Sequence, residues 1–203
     1  MKKKEKFLYL TIGVNTLSKK DKLMFPIFKK QLKYMCNKYG THGVTVIPAI
    51  TSFDKKGVVA FVGSSSLING KHIVSFVSSL DEDEEYVKAS ADHEFVHIFF
   101  KEHKEVRRNI VNDICPQLQN MVESSKDLDN KLFDKMWYCH ERLHDYMNTN
   151  LEVSKRLAGA EDVICELATC IDSPVKKEVF DMIISGNWND NDLFTIFASI
   201  STM

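Results

Sequence analysis

Residues 93–97 read His-Glu-Phe-Val-His. On an α-helix, side chains four positions apart stand one turn apart on one face. His93 and His97 are therefore spaced to bring two imidazole nitrogens to a single cation. Glu94 beside them carries a carboxylate that can take a proton from water. Nitrogen donors of this kind suit Zn2+, and water held by zinc is acidified towards neutral pH. The three residues have the makings of a metal-dependent hydrolase.

The spacing recurs at His140-Glu141-Arg142-Leu143-His144, and both cannot be the catalytic site of one small domain. Context separates them. From Ala91 to Phe100 every residue is apolar except Asp92 and the three motif residues. A helix that is apolar nearly all round is buried. Ionisable groups in it are costly unless something satisfies them, and a metal ion would do so. The second match lies in a stretch, 127–147, that also carries Asp134, Lys135, Glu141, Arg142 and Asp145. That pattern predicts an amphipathic helix with a solvated face, leaving His140 and His144 as surface residues or as neighbours of a substrate cleft.

The 203 residues include 27 basic and 28 acidic side chains, for a net charge of −1, and 44% are apolar. A chain of this length can bury roughly 70% of its unfolded surface and needs no staples. The even charge balance argues against nucleic acid as a partner, and Lys2–Lys4 and Lys19–Lys20 read as solvated positions. Five cysteines (Cys36, Cys115, Cys139, Cys165, Cys170) show no paired metal-finger spacing. Their odd number favours a reducing, cytoplasmic setting, with Cys165 and Cys170 as packing residues. The apolar run Phe7–Val14 follows lysines but is closed by Asn15 without a cleavage pattern, so a β-strand is expected there rather than a signal peptide. No stretch reaches the ~20 apolar residues that a membrane helix requires.

The elements that must position the motif read as follows. Strands are expected at Phe7–Asn15, Gly43–Phe53, Gly57–Gly63 and Lys71–Ser78, the last as a half-buried edge strand. A helix is expected over Ser18–Tyr39, closed by Gly40, with Pro26 starting or kinking it. The acidic run Asp81–Glu85 opens the motif-bearing helix, where it complements the helix dipole. Further helices are expected near Glu105–Ser124, Asp127–Met147, Leu151–Ile171, Val175–Ile184 and Asp190–Ile200, divided by turn-forming residues. Residues 1–105 form a mixed subdomain in this reading, and 106–203 a helical one.

This order of elements, with the motif at 93–97, resembles the zincin metallopeptidases. The resemblance covers residues 7–105 by topology and 93–97 by a specific motif. It implies an α+β fold, with a small mixed β-sheet packed on the HExxH helix, followed by an all-helical C-terminal half. It also implies Zn2+ as cofactor, a protein or peptide as substrate, and an edge strand, Lys71–Ser78, that aligns the extended substrate.

A catalytic zinc takes three protein ligands and keeps one open position. His103 stands ten residues after His93, as in the metzincin pattern. Phe100 occupies the glycine position of that pattern, and an unbroken helix would carry His103 about 15 Å further along its axis. The alternative is the segment Ala160–Thr169, which resembles the glutamate helix of gluzincins, including lethal-factor-type and antirestriction-type peptidases. Their ligand is followed three positions on by a small residue. Glu166 meets that requirement with Thr169, and Asp162 meets it with Cys165. The apolar face through Val163, Leu167, Cys170 and Ile171 is bordered by Glu166, with Asp162 further round, so Glu166 is favoured.

The sequence therefore leads to the expectation of a zinc metallopeptidase. His93, His97 and Glu166 or Asp162 hold the metal, and Glu94 is the general base. Tyr138, Tyr146 and the second pair of histidines are open candidates for stabilising the oxyanion. The rival expectation is a binding or regulatory protein with a structural or vestigial metal site.

Overall fold

The computed structural model describes residues 8–9, 19–41, 44–48, 64–67, 71–76, 83–114, 116–117 and 153–201. The chain divides into two compact units, Met1–Glu102 and His103–Met203.

In the first unit, α1 spans Lys19–Tyr39 with Pro26 inside it. Phe25, Phe28, Leu32, Met35 and Cys36 recur at helical spacing and are all buried. The helix ends where the sequence pointed. Gly40 takes a left-handed φ of 76°, and the Thr41 amide donates back to the Cys36 carbonyl at 2.9 Å, which is a Schellman closure.

Four strands, β1 (Leu8–Tyr9), β2 (Val44–Pro48), β3 (Ser64–Leu67) and β4 (Lys71–Phe76), are ordered β1-β2-β4-β3. β1 with β2 and β2 with β4 run parallel, and β3 with β4 antiparallel. Alternation along β4 buries His72, Val74 and Phe76 on one face. Phe76 meets Phe25 and Phe28 of α1 at centroid distances of 5.7 and 4.9 Å.

α2 (Glu84–Glu102) carries the motif. Asp83 caps it, its Oδ1 accepting from the amides of Glu85 and Tyr86 at 2.9 and 3.0 Å. Glu84 and Glu85 occupy the first turn, where their charge opposes the helix dipole.

Several expectations are corrected. The α+β, zincin-like architecture gives way to a predominantly helical one: among the described residues the helices run 10 to 21 residues and the strands two to six. Among the described residues the main neighbour of the motif helix α2 is α1, with the sheet a lesser one. Tyr39 lies 5.3 Å from Phe95, ring to ring, and the Gln31 side-chain amide donates to Asp92 Oδ1 at 2.7 Å. A helix that is apolar nearly all round needs apolar partners on more than one side, and α1 supplies a buried stripe through Phe28, Leu32, Met35 and Cys36. The expected edge strand Lys71–Ser78 is also corrected, since β4 lies between β2 and β3. The expected strand Gly57–Gly63 falls outside the described residues.

In the second unit, α3 is Lys104–Asp113, α4 Val153–Thr169, α5 Lys176–Ser185 and α6 Asp190–Ser201. The expected helix Asp127–Met147 lies outside the described residues. Arg107 of α3 pairs with Glu161 of α4 through Nε and Oε2. α5 closes on Gly186, whose φ is 64°. α6 opens with a reciprocal cap: Asn189 Oδ1 accepts from the amides of Asn191 and Asp192, and Asp192 Oδ2 accepts from the Asn189 amide. No described helix is long and apolar enough to cross a membrane.

Candidate metal centre

The centre is built on the third and fourth turns of α2. Ala91, Phe95, Val96, Ile98, Phe99 and Phe100 bury most of that helix, which fixes its rotation. His93 and His97 remain half-buried, and Glu94 between them is 1% exposed. The imidazoles turn towards each other. Their Nε2 atoms are 3.1 Å apart, and the rings meet edge to face, with centroids 4.8 Å apart and planes at 69°.

That separation fits a shared cation. Two nitrogens each about 2.0–2.1 Å from a tetrahedral zinc stand about 3.3 Å apart. The donor chemistry fits as well: two ring nitrogens that face each other, with a carboxylate one residue away. The same distance also accommodates an imidazole–imidazole hydrogen bond, one ring donating and the other accepting.

His103 lies where the chain leaves the helix. α2 ends at Glu102, and His103 is the exposed residue preceding α3, with φ −114° and no side-chain cap bond. Phe100, at the metzincin glycine position, stays helical and buried. The backbone thus turns three residues later than that pattern needs.

Glu166 and Asp162 belong to the second unit and stand one turn apart on α4, both half-buried. Val163, Ile164, Cys165, Leu167 and Ala168 form its buried surface. Glu161 is 7% exposed and tied to Arg107. Its carboxylate has a structural task. The second motif match at His140–His144, with Tyr138 and Tyr146, lies outside the described residues.

Sequence reasoning overlooked His72. It sits on the buried face of β4, with Nε2 3.5 Å from Glu102 Oε1. Burial, the larger influence, lowers its pKa from the ordinary 6.5, while the Glu102 charge acts in the opposite direction. The period-two alternation His72, Val74, Phe76 was the available signal. No family model, curated protein or solved structure matches this chain.

Proposed function

We propose that the protein is a zinc-dependent metallopeptidase that hydrolyses peptide bonds in a protein or peptide substrate. The observation that carries this reading is the 3.1 Å approach of the His93 and His97 Nε2 atoms beside the buried Glu94. Those two nitrogens would hold the ion. The third ligand is assigned from the sequence pattern to Glu166, with Asp162 as its alternative. Zn2+ bound there supplies acidification of water and polarisation of the scissile carbonyl. Glu94 takes the proton of the attacking water and returns it to the leaving amine. The 1% exposure of that carboxylate keeps bulk water from competing for it. The cysteine pattern is the basis for proposing a cytoplasmic setting.

Substrate alignment by the strand Lys71–Ser78 is no part of this proposal, because both edges of β4 are already paired.

A second reading has an observation of its own. An Nε2–Nε2 separation of 3.1 Å is also hydrogen-bond length, as in a binding or regulatory protein whose histidine pair needs no metal. Zinc analysis of the purified protein, paired with a peptide-cleavage assay on wild type and Glu94→Gln, separates the two. The peptidase reading requires zinc in both proteins and cleavage by wild type alone. Zinc-free protein with no hydrolysis supports the second.

A further inference from the structure

His72 occupies a position where the sheet calls for an apolar side chain. It belongs to the interior strand β4, opposite Val44 of β2 and Ser66 of β3. It is 7% exposed and shares its face with Val74 and Phe76. Its Nδ1 is buried without a hydrogen-bond partner among the described residues. Its Nε2 faces the carboxylate of Glu102, the last residue of the motif helix, at 3.5 Å.

Three elements converge here. Phe28 of α1 meets Phe76 at the far end of β4. Cys36 lies eight residues on from Phe28, about 12 Å along the helix. His72 lies four residues back from Phe76, about 13 Å along the strand. Glu102 acts electrostatically on both Cys36 and His72. Among the described residues, the charged groups acting on His72 are Glu102 and Lys101 from α2. α1 contributes the buried thiol of Cys36, and the paired positions of β2 and β3 contribute no titratable group.

We propose that His72 is an acid-sensitive latch between β4 and the C-terminal end of the motif helix, fastened while the imidazole is neutral and released when it takes up a proton. Protonation would place a cation under the sheet and leave an Nδ1–H with no acceptor among the described residues. Glu102 offsets part of that cost, and Lys101 adds to it. Burial outweighs the carboxylate, so the folded unit holds this proton less tightly than an unfolded chain does. A histidine whose folded pKa is depressed contributes stability that is fully present above the unfolded value, near 6.5, and is lost as pH falls through the folded one. Acidification therefore loosens the packing of the helix that carries His93 and His97. This device does not depend on the peptidase reading.

The test uses the full chain with chelator present, so that metal loss plays no part. Denaturant unfolding is followed from pH 7.5 to 5 for wild type and His72→Phe. His93 and His97 are common to both proteins, so the difference isolates His72. The folding constant of wild type is expected to fall more steeply below pH 6.5, by up to about tenfold more per pH unit. Parallel curves overturn the proposal. If His72→Phe does not fold, an NMR titration of the His72 ring in wild type decides. A midpoint below 6.5 that falls further in Glu102→Gln supports the latch, and a midpoint at or above 6.5 overturns it.

Discussion

The Nε2 atoms of His93 and His97 stand 3.1 Å apart across one turn of α2. Few side-chain pairs on a buried helix have reason to face each other with two nitrogen lone pairs. Those that do are satisfied by a shared proton or a shared cation, and under the proposed reading Glu94 at the adjacent position would give such a cation its chemical use.

Replacing either histidine should weaken zinc binding strongly. His97→Ala leaves one imidazole on α2, and loss of a direct ligand is expected to weaken zinc binding by more than about 100-fold, beyond what outer-shell partners are worth. Competition with a zinc-sensitive dye measures this. Unchanged affinity would place the ion elsewhere.

Arg107→Ala should destabilise the second unit. It deprives the buried Glu161 carboxylate of the guanidinium that pairs with it. The expected cost is about 2 to 3 kcal/mol, below the range for a fully buried pair because the Arg107 side chain is one-third exposed. A shift in the denaturation midpoint reads it, and Arg107→Ala with Glu161→Gln should recover part of the loss.

Gly186→Ala tests the end of α5. A Cβ there meets Val106 Cγ2 at 3.0 Å, on a backbone with φ +64°. The left-handed backbone alone costs a non-glycine residue about 1–2 kcal/mol. Thermal unfolding should show a lower midpoint, whereas an unchanged midpoint would mean that the turn adopts another form.

Cys36 should resist alkylation. Burial first and the Glu102 charge second push its thiol up to about 12, so almost no thiolate exists at neutral pH. Iodoacetamide should label Cys36 at the rate of unfolding. Rapid labelling of the folded chain would contradict the burial.

Local periodicity was legible in the sequence. The spacing of Phe25, Phe28, Leu32 and Met35, stopped by Gly40, located α1, and the acidic run before Tyr86 located the start of α2. Lateral relationships were not. The alternation of β4 shows that it is a strand but not which strands flank it, so its interior position escaped the reading. β3 is a Ser-Ser-Ser-Leu segment without apolar alternation, and it is a strand because β4 pairs with it. The pairing of Glu161 with Arg107 spans 54 residues, a separation that local spacing does not encode. The α+β expectation rested on strand candidates and on what the motif resembles, and neither weighs helix against sheet as the surface on which α2 packs. Within the site, the facing of His93 and His97 follows from helical spacing alone, whereas a third ligand depends on long-range placement that spacing does not encode.

The central claim is that Glu94 serves as base to water activated at the His93–His97 centre. Cleavage of a peptide library by zinc-loaded wild type and Glu94→Gln tests it most directly. The account predicts that both proteins hold one zinc per chain and that the substitution lowers cleavage by about 10²–10⁴-fold, the contribution typical of a positioned general base. Equal cleavage by the two proteins, or a wild type that takes up no zinc, would contradict it.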